Sequence, residues 1–295
     1  MTKKYKILEG DHYITNVCNL TCDNCITYND FKFKGHYKFE DYKAHYEEWS
    51  KILDIEMMNI LGGEPYANPD LWNWAYNLKK LWPEVRDTSL VTNGTYFNAH
   101  KELTRDIIDL GWWLDISVHD PAHYDETKFH IEEMLSKYQY TTTEITKTTL
   151  GRKFEDPGKQ YYIDGRLVAD IRERWKLHTS SRKEIRDGVM YLHDSDTVIA
   201  HENCSANKCH YFVKGHLYKC HLVAFKDDFI NQFNIEQRAV DLLQQYKACS
   251  PWDSEESIKN FTDKLLDVIP QCNLCPENRI EQIVWPLSKL KKNIV

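Results

Sequence analysis

Residues 13–25, Tyr13-Ile14-Thr15-Asn16-Val17-Cys18-Asn19-Leu20-Thr21-Cys22-Asp23-Asn24-Cys25, pass from a β-like run into a loop with three cysteines at C-x3-C-x2-C spacing. Three thiolates in one loop can wrap a single metal centre, and soft sulfur ligands select zinc or an iron–sulfur cluster. A structural zinc ion is closed by four protein ligands, so the zinc reading needs a distant fourth such as His12 or His36. A [4Fe–4S] cluster held by three cysteines keeps one iron open for another ligand.

Outward from this loop, strand and helix patterns alternate. Phe39, Tyr42, Tyr46, Trp49 and Leu53 recur at three- and four-residue spacing, one face of a helix. Glu56 to Leu61 reads as a buried strand ending at Gly62-Gly63. Leu71, Trp74, Leu78 and Leu81 mark a helix that starts near Pro69 and stops at Pro83. Ser89–Thr92 and Trp113–Val118 are further strands, separated by a helix through Leu103, Ile107 and Leu110. A helix through Ile131 and Leu135 and a fifth strand, Thr141–Thr146, complete the series. Such alternation predicts parallel strands with crossover helices. Beyond it, Asp164-Gly165-Arg166 reads as the turn of a β-hairpin.

Four segments lie in order, each at the C-terminal end of one of these strands: the cysteine loop, Gly62-Gly63-Glu64-Pro65, Thr92-Asn93-Gly94 and Ser117-Val118-His119. Together they resemble the radical S-adenosylmethionine (radical SAM) superfamily over roughly residues 10–150. The resemblance implies an α/β fold, a partial (β/α)6 barrel, with its site at the C-terminal strand ends where function gathers in β/α barrels. It implies Cys18, Cys22 and Cys25 as ligands of a catalytic [4Fe–4S] cluster. It also implies Gly62, Gly63, Glu64, Thr92, Asn93, Ser117 and His119 as contacts to S-adenosylmethionine. The glycines admit close backbone approach to the ligand. Glu64 suits the ligand's ammonium group, and Thr92, Asn93 and Ser117 suit ribose or carboxylate. His119 is placed to touch the ribose or the substrate. The implied chemistry is reductive cleavage of S-adenosylmethionine to a 5′-deoxyadenosyl radical that abstracts hydrogen from a substrate. Asn24 departs from the family pattern, which has an aromatic before the third cysteine; that weakens an adenine contact, not cluster binding. Lys147, after the fifth strand, is either a partner for the cofactor's carboxylate or a solvated surface lysine.

Six of the nine cysteines fall in the last third of the chain. Cys272-Asn273-Leu274-Cys275 is a C-x-x-C knuckle, and a hairpin turning at Lys214-Gly215 brings Cys209 and Cys220 to its open end. This resembles the auxiliary-cluster domain called SPASM, or its shorter form, twitch, and implies a second, auxiliary [4Fe–4S] cluster. Hairpin geometry points to Cys209, Cys220, Cys272 and Cys275, while the family spacing admits Cys204 in the first position. A zinc ribbon on paired cysteines is the alternative. Cys249 reads as a buried small hydrophobe, with cluster ligand or hydrogen-atom donor as the sharper options.

Composition narrows the remaining classes. The chain has 295 residues, enough for a large core. Its net charge of −7 makes it a poor binder of nucleic acid or anionic membrane. No apolar run is long enough to span a bilayer. The basic start, Met1 to Lys6, has no apolar segment after it, so no secretory leader is expected. Nine cysteines without an export signal suggest a reducing, cytoplasmic setting in which thiols bind metal. The sequence therefore predicts a radical SAM barrel over residues 1–190 and a small twitch-like iron–sulfur domain over 191–295. It predicts an oxidoreductase-like or peptide-modifying enzyme that acts on a peptide, protein or small molecule. Its electrons would come from a donor such as flavodoxin or ferredoxin. The competing reading is a non-catalytic metal-binding interaction protein on the same scaffold.

Overall fold

The computed structural model describes residues 5–22, 25–29, 33–145, 157–174, 176–179, 184–204, 206–278 and 280–283. Its first half alternates as follows: β1 (Tyr5–Tyr13), α1 (Phe39–Ile52), β2 (Leu53–Leu61), α2 (Leu71–Leu81), β3 (Asp87–Thr92), α3 (Lys101–Asp109), β4 (Trp113–Val118) and α4 (Tyr124–Leu135). Then come β5 (Tyr140–Ile145), β6 (Gly158–Ile163), β7 (Arg166–Glu173), β8 (Lys176–Thr179), β9 (Glu184–Arg186) and β10 (Val189–Tyr191). The last part holds α5 (Thr197–Glu202), β11 (Cys209–Val213), β12 (His216–Tyr218), α6 (His221–Ala224), α7 (Lys226–Gln232), α8 (Gln237–Gln245), α9 (Glu255–Asp263) and β13 (Ile280–Ile283).

Nine strands form one open sheet in the order β12-β11-β1-β2-β3-β4-β7-β6-β5. The six from β11 to β7 run parallel, so the fold is mixed α/β on a largely parallel sheet. Two small antiparallel pairs, β9 with β10 and β8 with β13, lie outside it.

The structure corrects two expectations. Apolar patterning places the first strand at Tyr13–Val17, but β1 ends at Tyr13. Its middle carries Glu9, Gly10 and Asp11, which an apolar count passes over although the strand is central. The same patterning has the fifth strand extend the parallel series. Instead β5 is antiparallel to β6 at the far edge, and β7 takes the place beside β4. The 140–145 segment, Tyr-Thr-Thr-Thr-Glu-Ile, is mostly exposed, as suits an edge strand. The β6–β7 hairpin turns at Asp164 and Gly165, both at positive φ (50° and 76°).

The core explains the rigidity of the frame. Trp49, Trp74, Trp82 and Trp112 are fully buried, and each indole N–H finds a backbone carbonyl, at Gly215, Tyr37, Leu53 and Ala75 respectively. Buried indoles need such acceptors, so each tryptophan ties its element to a neighbour. Trp49 of α1 thereby holds the β11–β12 turn. That turn has Lys214 and Gly215 at positive φ, and a Cβ on Gly215 would fall 2.5 Å from the His45 ring. The C-terminal hairpin is thus stitched to both the sheet and α1. No helix among the described residues is long and apolar enough to cross a membrane.

Candidate functional site

The register of the sheet levels the ends of β1 to β4. Tyr13 stands opposite Leu61, Ile60 opposite Leu90, and Thr92 opposite Ile116. The loops that follow these strands therefore meet at one end. The backbone after β1 is laced to the backbone after β2: Ile14 N donates to Leu61 O (2.9 Å), Gly63 N to Thr15 O (2.7 Å) and Glu64 N to Val17 O (2.8 Å). A Cβ on Gly62 would fall 2.7 Å from Thr15 O, and one on Gly63 only 2.3 Å from Val17 O. The close approach these glycines permit is to the cysteine loop itself, which side chains would push away.

Glu64 is fully buried and works as a clamp. Its carboxylate accepts from Thr92 Oγ1 (2.7 Å), Asn93 N (2.8 Å) and Tyr66 N (3.3 Å). Burial pushes its pKa up to about 7, against the pull of those donors. Three of roughly four acceptor positions are used, which leaves about one for a ligand. The clamp places Asn93 against the cysteine loop: its Nδ2 donates to Asn19 Oδ1 (2.9 Å) and contacts Cys18 Sγ (3.8 Å). Leu20 N also points at Cys18 Sγ (3.4 Å), and Cys25 Sγ meets Thr27 Oγ1 (3.2 Å). Thr27 in turn donates to Gly62 O (3.1 Å). Burial pushes the Cys18 thiol up to about 12, so the thiolate needs a metal to form.

Ser117 and His119 sit at the end of β4. Arg174, at the end of β7, donates to Ser117 Oγ (2.9 Å) and lies 3.5 Å from Asp115. His119 Nδ1 faces the Arg174 carbonyl (2.9 Å), so Nδ1 carries the proton and Nε2 is the acceptor. Burial holds its pKa down to about 4, so the ring is neutral at pH 7. Sequence reasoning misses Arg174; a lone arginine just past a strand gives no motif. Lys147 and Asn24 lie outside the described residues.

A second feature without a sequence signal is a polar row across four strands. Ser89 Oγ donates to Asn59 Oδ1 (2.6 Å); Asn59 Nδ2 donates to Glu9 Oε1 (2.6 Å) and Asp11 Oδ1 (2.7 Å). Cys209 Sγ reaches Glu9 Oε2 (3.3 Å). This row lies on the sheet face opposite α1, since the intervening His12 stacks on Phe212 (4.7 Å) beside Tyr46 of α1. His12 is therefore walled into an aromatic box and is no zinc ligand for the cysteine loop.

The C-terminal cysteines divide differently from the hairpin expectation. Cys204, Cys220, Cys272 and Cys275 line one pocket together with Lys219. Cys209 is not among its walls; it stands opposite Glu9 in the β1–β11 ladder. The reason is local. Cys209 is fixed in a parallel ladder, whereas Cys220 lies past the end of β12 and caps α6, where the amides of Val223 and Leu222 face its sulfur. The knuckle itself is tied down by Asn273, whose Nδ2 donates to Ser195 O (2.6 Å) and Asp194 Oδ1 (3.0 Å). Cys204 lies two residues past α5, with its N–H on His201 O (3.1 Å). Cys249 is buried in the core, its backbone paired with Leu217, as its hydrophobic reading expects.

The spread of the thiols bears on what they can hold. Zinc with Zn–S bonds of about 2.3 Å draws its sulfurs to within about 4 Å of one another. Among the described residues, Glu9, Asp11 and Cys209 form the only group of three metal-ligating side chains with donor atoms within 4.8 Å. Neither cysteine set is that tight.

Residues 12–147 match the profile of the Radical SAM superfamily. The match covers 136 of the 295 residues, a little under half of the chain. A stretch of 87 residues is 34% identical to a GTP 3′,8-cyclase of Petrotoga mobilis, covering 28% of this chain and 25% of that protein. Another of 95 residues is 30% identical to a GTP 3′,8-cyclase of Listeria monocytogenes, covering 32% and 28%. The matched part spans about a quarter of the length of these curated relatives. Among solved structures, BtrN in complex with AdoMet and 2-DOIA shares 20% identity at a TM-score of 0.32, over 40% of this chain and 48% of that one. SuiB of Streptococcus suis bound to S-adenosylmethionine shares 14% at 0.29, over 45% and 39%. A radical SAM domain implies a [4Fe–4S] cluster and S-adenosylmethionine.

Proposed function

We propose that this chain is a radical SAM enzyme with two iron–sulfur centres. Cys18, Cys22 and Cys25 hold the first, and Cys204, Cys220, Cys272 and Cys275 hold the second. The division of labour falls near residue 190. The observation that carries the reading is the lacing of the cysteine loop to the Gly62-Gly63-Glu64 and Thr92-Asn93 segments, which brings three thiols and their polar neighbours to one strand end. When bound, the first cluster and S-adenosylmethionine supply a 5′-deoxyadenosyl radical for hydrogen abstraction.

The protein's own groups hold and orient. Glu64 fixes Thr92 and Asn93 and keeps one acceptor for the cofactor's ammonium group. Asn93 and Ser117 offer amide and hydroxyl to its ribose or carboxylate, and Arg174 holds Ser117 in place. His119, neutral with Nε2 as acceptor, receives a hydroxyl from ribose or substrate. The polar row Ser89-Asn59-Asp11-Glu9 supports a substrate rich in hydroxyl or amino groups, whether a small molecule or a polar peptide side chain. A low-potential protein such as flavodoxin or ferredoxin supplies the electron.

The test is anaerobic reconstitution followed by reduction with S-adenosylmethionine present. The proposal expects 5′-deoxyadenosine from the wild type and none from Cys22→Ala. A wild type that binds iron yet yields no 5′-deoxyadenosine, with or without polar candidate substrates, supports the non-catalytic reading instead.

A further inference from the structure

Lys219 is a lysine where a lysine is expensive. It is 5% exposed and forms part of the wall of the four-cysteine cavity. A buried ammonium group is retained only where it is paired and hydrogen-bonded. Its Nζ donates to the Leu265 carbonyl. No carboxylate of the described residues lies within ion-pair distance of it, although Asp267 acts on it through space. Burial lowers its pKa, and the sulfurs of Cys220, Cys272 and Cys204 pull in the opposite direction, toward the charged form.

The residue is also held with unusual care. Its backbone N–H donates to Tyr246 Oη (2.8 Å), and its carbonyl faces His210 Nδ1 (3.0 Å). His210 and Tyr246 are themselves buried. Two buried side chains thus hold the backbone of this one residue on both sides, through its N–H and its carbonyl. A residue serving only to fill space would be an apolar one.

We propose that Lys219 is the built-in counter-cation of the second cluster and sets how readily that cluster accepts an electron. This rests on the two-centre reading given above. A [4Fe–4S] core with four thiolates is dianionic when oxidised and trianionic after taking up one electron; no bond forms or breaks. A fixed positive charge against the thiolates favours the more negative state. Net charge and hydrogen bonding at the sulfurs are among the main determinants of cluster potential. Lys219 acts through the cluster and touches no substrate, so it is a positioning residue.

The experiment uses full-length protein with Cys18, Cys22 and Cys25 all changed to Ala, so that only the second centre loads. Iron and sulfide are counted first, then the cluster is titrated with dithionite under EPR observation. Lys219→Met and Lys219→Arg are compared in this background. The proposal expects about four irons in each. It expects a more negative potential for Lys219→Met and a near wild-type potential for Lys219→Arg. If Lys219→Met folds but fails to load while Lys219→Arg loads, the positive charge is again confirmed as the requirement. Equal potentials in the parent and Lys219→Met, or failure of both variants to load, overturns the counter-cation role. Absence of iron from the triple-alanine parent overturns the two-centre reading instead, and the two failures are told apart at the first count.

Discussion

The two cysteine sites are built on opposite principles. Cys18, Cys22 and Cys25 come from one loop, and the strand-end segments around them are fastened backbone to backbone. Cys204, Cys220, Cys272 and Cys275 come from three stretches that are distant in sequence, and side chains such as Asn273 and Gln271 hold them together. The first is therefore sensitive to anything that occupies backbone space, and the second to loss of tertiary packing. Perturbations that separate these modes give the sharpest checks.

The largest effect is expected at the first site. Cys18→Ala should cut 5′-deoxyadenosine formation by roughly a thousandfold or more while the second centre still loads. Loss of iron from both sites would merge what the structure keeps apart. Next, Cys204→Ala should remove the second cluster and about half the bound iron, whereas Cys209→Ala should leave it in place. The reverse result would return the ligand to the hairpin strand. Gly63→Ala comes third. With 2.3 Å between the new Cβ and Val17 O, the loop has to move, at a cost of about 1–3 kcal/mol. It should empty the first site and spare the second, as read by iron content and thermal unfolding.

Two smaller effects concern buried ionisable groups. His12 is fully buried with no hydrogen-bond partner on either ring nitrogen, and burial alone lowers its pKa to about 3. It is neutral in the fold but protonates in the unfolded chain near pH 6.5. Its stabilising neutral form is thus fully present above pH 6.5 and progressively lost as pH falls toward 3. His12→Phe should stabilise the protein by about 1–3 kcal/mol, and by more at pH 5 than at pH 7.5. Glu64 has the opposite sign. Its folded pKa near 7 lies above the unfolded value, so its buried carboxyl costs stability as pH rises from about 4.5 to 7. Relative to Glu64→Gln, the wild type should lose ground over that interval in urea denaturation. A flat difference would mean that the clamp's donors outweigh burial.

Much of this architecture is legible in the amino-acid sequence. Trp113–Val118 and the helices through Trp74 and Ile107 follow from apolar runs and periodicity, because buried faces demand apolar residues. The turns at Asp164-Gly165 and Lys214-Gly215 follow from residues that tolerate positive φ. The four strand-end segments are legible because their chemistry is concentrated in short motifs. What escapes is non-local. Glu9, Asp11, Asn59 and Ser89 come together only through register, and each alone looks like a polar interruption of a strand. The place of Cys209 depends on β11 pairing with β1, a contact across about two hundred residues that no spacing rule reports. The strand order at β7 escapes for the same reason, since an edge hairpin and a parallel strand look alike in a short window.

The most direct measurement is a metal and sulfide count on anaerobically purified full-length protein, with Mössbauer spectra taken before and after S-adenosylmethionine is added. Two cubane clusters predict about eight irons and eight sulfides per chain, with one iron of the first cluster changing its signal when the cofactor binds. Stoichiometric zinc in the Cys18-Cys22-Cys25 loop, or spectra that ignore the cofactor, would contradict the account.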